Sequence, residues 1–256
     1  MEKKPGKVVK LSSIKVACES CSIHELCLPL GISHDDMDQL ESIIKRRRPL
    51  ARGEFLFQQG DNMETLFAVR AGSVKTYTLT DDGHEQITGF HLSGELVGLD
   101  AINTGQHHCS AKAMETTSLC EIPFERLEEL GGRIAGLQHQ LLRLMSKEIA
   151  QDQTLMMLLG KKSADGRLAA FLLSLSNRFQ ERGYSGSEFN LCMSRTDISN
   201  YLGLAVETVS RLFTRFQQQG YLQVQRKLIK ITNREALHGL AGGNDDPGAP
   251  RLHARQ

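Results

Sequence analysis

Three of the six cysteines, Cys18, Cys21 and Cys27, fall within ten residues of one another, and any fold this chain adopts has to accommodate them. Three thiols cannot all pair off as disulfides among themselves, whereas three thiolates on one short loop converge readily on a soft metal. The spacing therefore points to a metal centre whose fourth ligand comes from elsewhere in the chain. The loop alone leaves the metal open, because zinc also accepts four cysteines. His24, inside the loop, reads as a polar loop position rather than a ligand.

A chain of 256 residues with 40% hydrophobic side chains can bury a full core, and its length suggests two domains plus a connecting element. Apolar runs such as Leu155 to Leu159 are far too short to span a bilayer, and the basic N-terminus lacks a following signal-peptide core. The expected compartment is the cytoplasm, with no membrane partner. Thiols stay reduced there, so the cysteine cluster reads as metal-binding or redox-sensing rather than as a disulfide framework. The net charge of +1 hides an asymmetry. Residues 1–160 carry 17 Lys and Arg against 22 Asp and Glu, whereas residues 161–240 carry 12 against 6. A basic small domain after an acidic larger one suggests nucleic-acid contact at the C-terminal end, although a solvated surface produces the same imbalance.

Lys3, Lys4, Lys7 and Lys10 lie in a polar segment, residues 1–13, expected to be a flexible tail; with the cysteine loop it makes up residues 1–30. Met37, Leu40, Ile43 and Ile44 then follow one helical face, and the Lys45 to Arg48 run with Pro49 reads as its solvated end. From Gly53 to about Pro123 come β-rich stretches, Leu66 to Arg70, Val74 to Leu79 and Gln86 to Leu92. Gly72, Asp82-Gly83 and Gly94 separate them with hairpin spacing, so residues 31–132 are expected to form a β-roll or barrel. After Gly131 and Gly132 a long helix is expected from Ile134 to about Gly160, within residues 133–160. Along it Leu142, Met145, Ile149, Asp152, Met156 and Leu159 alternate spacings of three and four, the pattern of a coiled-coil seam with one acid in it. A homodimer seam is the preferred reading. The competing one is an amphipathic helix packed on its own β-domain.

Residues 161–240 carry a different signature. In SRTDISNYLGLAVETVSRLFTRF, Ile198, Tyr201 and Leu202 mark the inner face of one short helix. Gly203 can adopt a left-handed turn, and Val209, Leu212, Phe213 and Phe216 mark a second helix. This is helix-turn-helix spacing. It leaves Glu207, Thr208, Ser210 and Arg211 on the outer face of the second helix, where recognition helices touch bases. Arg211 can donate twice to guanine O6 and N7, Glu207 can accept from cytosine N4, and Ser210 can sit against thymine. Tyr221 to Ile231 then reads as two strands turning at Arg226-Lys227, a wing whose cations meet phosphates. Residues 241–256 are expected to be a flexible tail. No catalytic constellation stands out, and no enzymatic activity is expected.

The segments CESCSIHELCLPL, HEQITGFH, ELVGLDAI, LCEIPFERL, LLGKKSADGRLAAFL and NYLGLAVETVSR together resemble the cyclic-AMP receptor and fumarate-nitrate reduction regulator superfamily. The likeness is to its oxygen-responsive Fnr branch and especially the Anr-type members, and it runs from about Val16 to Gly243. The resemblance implies an α+β fold class: an N-terminal β-roll sensor domain of cyclic-nucleotide-binding type, a long dimerisation helix and a C-terminal winged helix-turn-helix. It implies an oxygen-sensing regulator of anaerobic metabolism that binds double-stranded DNA as a homodimer when a 4Fe-4S cluster is bound. Cys120, before the EIPFE motif, would complete the ligand set with Cys18, Cys21 and Cys27, in keeping with thiolates as the usual ligands of such clusters. Cys109 lies in the same β-rich region but outside the matched motif, and Cys192 reads as packing. The cyclic-nucleotide branch holds a ligand phosphate with an Arg-Ser pair; here the stretch is Gly105 Gln106 His107 His108 Cys109 Ser110, so no cyclic nucleotide is expected. The Fnr pattern implies TTGAT half-sites in an inverted repeat, and an RNA polymerase surface partly on loops such as Asp81 to Glu85. A zinc or thiol switch is the alternative input.

Overall fold

The computed structural model describes residues 18–46, 48–80 and 82–242. Residues 1–13 and most of 241–256, both expected to be tails, lie outside the described residues. Contacts divide the chain into two units, 1–151 and 152–256.

In the first unit, helix α1 (His34–Ile43) is started by Ser33, whose hydroxyl accepts from the Asp36 amide. Such a cap is worth about 1 kcal/mol. Next come β1 (Lys45–Arg46), β2 (Phe55–Phe57), β3 (Thr65–Ala71), β4 (Ser73–Leu79), β5 (Glu85–Leu92), β6 (Leu96–Val97), β7 (Ser110–Ala113) and β8 (Ser118–Pro123), then α2 (Phe124–Gly131) and α3 (Ala135–Lys161). The strands make two four-stranded sheets, ordered β1-β8-β3-β6 and β2-β7-β4-β5. The three β-rich stretches read from the sequence correspond to β3, β4 and β5.

Two sequence readings need correction. Lys45 to Arg48 is not a solvated helix end: Ile44 leaves the helix in an extended conformation, and Lys45–Arg46 pairs with β8, Arg46 lying opposite Cys120. Gly72 is not a hairpin turn. It is the corner where the chain crosses from one sheet to the other, at φ 91°, and a Cβ there would stand 2.7 Å from the Thr116 carbonyl oxygen.

Strand alternation gives this unit two cores. Leu66, Ala68 and Ile122 face a core shared with α1, α2, the start of α3 and the cysteine loop, through Met37, Leu40, Leu127, Leu137 and Leu28. Phe67, Val69 and Leu119 face the opposite way, into a core between the sheets with Phe57, Val74 and Ala111.

In the second unit α4 (Ala164–Glu181), β9 (Glu188–Asn190), α5 (Arg195–Leu202), α6 (Val206–Gln218), β10 (Leu222–Gln225), β11 (Leu228–Ile231) and α7 (Arg234–Gly242) follow the end of α3. Ser194 and Asp197 form a reciprocal capping box that starts α5, and Gly203 ends it at φ 60° in the left-handed region. The wing is the β10–β11 hairpin, with Gln225 opposite Leu228 and Arg226 itself left-handed at φ 58°. Helix α7 was not foreseen from the sequence; Asn233, whose side chain accepts from the Ala236 amide, was the readable sign of its start. Among the described residues no helix is long and apolar enough to cross a membrane.

Candidate metal centre and nucleic-acid interface

The cysteine loop descends into the helix-side core. Cys18 is buried there, and Cys27 and Cys120 pack against the same cluster. Glu41 of α1 accepts the Cys18 amide at 2.5 Å. The turn at Gly94 lies so close to the loop that a Cβ there would stand 2.8 Å from Leu26 Cβ, so glycine is required both for contact and for its φ of 91°. Gln140, on α3 and 3% exposed, donates from Nε2 to the Cys27 carbonyl at 3.0 Å, while its buried Oε1 has no partner.

All six cysteines are free thiols. Cys18, Cys27 and Cys120 border one core, and Cys21 is near enough to raise the thiols of all three electrostatically. Burial first, then the neighbouring thiols, raise the Cys18 and Cys27 thiols to about 12. Cys120 is also raised by burial, against the pull of the Arg46 guanidinium, which donates to its sulfur. Arg46 Nε is buried with no partner. Among the described residues no three His, Cys, Asp or Glu side chains are close enough to hold a metal ion in this arrangement. As a donor set the four thiols nonetheless fit a soft, positively charged group, because thiolates crowded in low dielectric need a cation to offset their mutual repulsion.

Cys120 and Cys109 lie on opposite sides of the β-roll. Cys120 points to the helix-side core with the loop, whereas Cys109 sits in the inter-sheet core, its thiol raised by burial and by the Asp100 carboxylate 3.5 Å away. His107, in the stretch that would hold a nucleotide phosphate in the cyclic-nucleotide branch, is buried, stacked on Phe57 at 3.5 Å and 3.2 Å from Asp100. Ser110 accepts the Gln59 amide at 3.0 Å. Cys192 is half-buried against Met193.

Helix α3 has two apolar faces, one packed on its own β-domain and the other exposed. Leu137, Gln140, Leu141 and Leu144 meet the helix-side core or are buried beside it. On the other face Leu142, Ile149 and Met156, seven residues apart, are 58%, 56% and 64% exposed. Met145 and Leu159 are half-buried, and Asp152 is exposed, its carboxyl raised by partial desolvation.

On α6 the inner face is Val209, Leu212, Phe213 and Phe216, all buried. Glu207, Ser210 and Arg211 are exposed and Thr208 is half-exposed, with Arg211 Nη2 3.3 Å from Thr208 Oγ1. The four residues expected to read bases therefore share one accessible face near the helix start. Arg195 lies over the Phe213 ring at 3.2 Å and braces α5 on α6.

Two domain families match the chain: a cyclic nucleotide-binding domain over residues 47–133 and a Crp-like helix-turn-helix domain over residues 166–240. The transcriptional activator protein anr of Pseudomonas aeruginosa is 55% identical over 239 residues, covering 93% of this chain and 98% of that protein. The chain belongs to the Crp/Fnr family of transcription regulators. The fumarate and nitrate reduction regulatory protein of Escherichia coli K12 is 50% identical over 241 residues, 94% of this chain and 96% of that one. The structure of FixK2 from Bradyrhizobium japonicum superposes with a TM-score of 0.72 at 31% identity, over 79% of this chain and all of that chain. The expected architecture for a Crp/Fnr protein, β-roll, long helix and winged helix-turn-helix, is the one observed.

Proposed function

We propose that the chain is an oxygen-responsive transcription activator whose input is a 4Fe-4S cluster held by Cys18, Cys21, Cys27 and Cys120, and whose output is dimerisation on DNA. The observation that carries the reading is the arrival of Cys18 and Cys27 of the loop and Cys120 of β8 at one core with the inner face of α3, all as free thiols. Its relatives' names, a transcriptional activator and a fumarate and nitrate reduction regulator, support the same reading.

When bound, the cluster supplies iron to draw the four thiolates together and sensitivity to oxygen. The rest is done by the chain. Cys27, which would hold the cluster, is tied through its carbonyl to Gln140, and the helix of Gln140 carries the seam of exposed Leu142, Ile149 and Met156 with half-buried Met145 and Leu159. Burying one such side chain fully is worth about 1.5–3 kcal/mol. Two Asp152 carboxylates facing each other about 4 Å apart repel by about 1–4 kcal/mol between aqueous and surface dielectric. The repulsion thus offsets the burial of about one apolar side chain, so a small change in helix placement decides between monomer and dimer. In the dimer Glu207, Thr208, Ser210 and Arg211 of each chain read one TTGAT half-site, the half-sites forming an inverted repeat about one helical turn apart. The exposed turn after β4, Asp82 to His84, belongs to the surface offered to RNA polymerase.

Purification under anaerobic conditions followed by iron and sulfide assay tests the input. About four of each per chain, with an absorbance lost on exposure to air, is expected for a thiolate-bound cube. Zinc in place of iron, or no iron after anaerobic reconstitution, would refute it.

A further inference from the structure

Within the second unit, one guanidinium ties the end of the long helix to the turn of the helix-turn-helix. Arg167 of α4 donates from Nη2 to the Leu159 carbonyl at 2.7 Å and from Nε to the Lys162 carbonyl at 3.1 Å. Its Nη1 donates to the Leu202 carbonyl at 3.0 Å and reaches the Gly203 carbonyl at 3.4 Å. These acceptors are the unpaired carbonyls at the C-terminal ends of α3 and α5, where hydrogen-bond donors are lacking and a cation is favoured by both helix dipoles. Gly203 adjoins both partners: a Cβ there would lie in ordinary contact, 3.5 Å from Arg167 Nη1 and 3.7 Å from Leu159 Cδ2. Lysine, with a compact ammonium, cannot span four acceptors in this planar fork.

We propose that Arg167 is a positioning residue that holds the helix-turn-helix at a fixed angle on the end of the dimerisation helix, and thereby sets the half-site spacing a dimer accepts. It touches no base. It acts through Gly203, the pivot between α5 and α6, and Leu159, a seam residue. With the clamp intact, the two recognition helices of a dimer are held at one separation and gain from simultaneous engagement only on DNA that matches it. Without the clamp, each head still reads its half-site but accepts a range of separations. The inference rests on the dimeric DNA-binding reading above and is independent of which metal the thiols hold.

The test uses the anaerobically purified full chain, with Arg167→Met and Arg167→Lys variants, on duplexes carrying one TTGAT half-site or an inverted pair whose centre is lengthened or shortened by one or two base pairs. The unaltered chain is expected to favour one spacing by at least about 10-fold, since the gain from double engagement is lost when geometry forbids it. Arg167→Met should reduce that preference to about 3-fold or less, with Arg167→Lys between, while affinity for the single half-site stays the same within about 2-fold. Arg211→Ala is the contrast and should weaken binding at every spacing alike. Undiminished spacing preference in Arg167→Met would overturn the inference, as would equal losses on the single half-site in both Arg167 variants, the signature of a merely structural residue. An unaltered chain indifferent to spacing would remove the dimeric reading itself and the inference with it.

Discussion

At the scale of single residues, the side chain that decides the centre is Cys120, and what decides Cys120 is parity along β8. Its neighbours Leu119 and Ile122 face opposite cores, and a one-residue slip in register would carry the thiol away from the loop. The cysteine triplet was legible because spacing on a loop is local. Arg46 was not, since a run of four cations reads as a solvated end until the pairing of β1 with β8, a contact across about 75 residues by number, sets it against Cys120. Gln140 left a fainter signal, a polar residue on the inner helical face of Leu137, Leu141 and Leu144. The placement of Arg46 has a measurable consequence. Its charge favours four clustered thiolates, yet its Nε lacks a partner and costs stability in their absence. Arg46→Met should therefore speed iron loss to a chelator under anaerobic conditions by about tenfold, the size of one nearby screened charge. The thermal midpoint of the iron-free protein should not fall. Equal iron retention in the two proteins would show that Arg46 carries no charge role.

At the scale of elements, α3 has opposite jobs on its two sides. Periodicity gave one face, the seam running through 142, 149 and 156, but neither the second face at 137, 140, 141 and 144 nor the partner each face meets. That depends on what the β-roll covers. The uncovered face carries Asp152, whose carboxyl is already raised by desolvation. Bringing a second carboxylate up in a dimer raises it further, so association is favoured while the group is protonated and is lost as pH rises through its dimer value. In air, the unaltered chain should associate more strongly as pH falls towards the carboxylate range, whereas Asp152→Ala should be dimeric in air with a flat pH response. Sedimentation of both across pH checks this, and a monomeric Asp152→Ala in air would contradict the seam. The recognition helix was the most legible element, since its buried and exposed faces, its Gly203 turn and the Ser194 start are all written within about 25 residues.

At the scale of the whole molecule, the order of parts was readable from motifs in sequence, while the connections between parts were not. Gln140 to Cys27 and Arg167 to the α3 and α5 carbonyls are each single polar side chains whose partners lie far off in sequence or on another element. One linkage underlies the proposed switch: occupancy of the four thiols decides whether the chain is single or paired. Sedimentation of the anaerobically purified protein and of Cys120→Ser, each before and after exposure to air, measures it directly. The account predicts a dimer that falls to a monomer in air for the unaltered chain and a monomer throughout for Cys120→Ser; the same mass for both proteins under both conditions would contradict it.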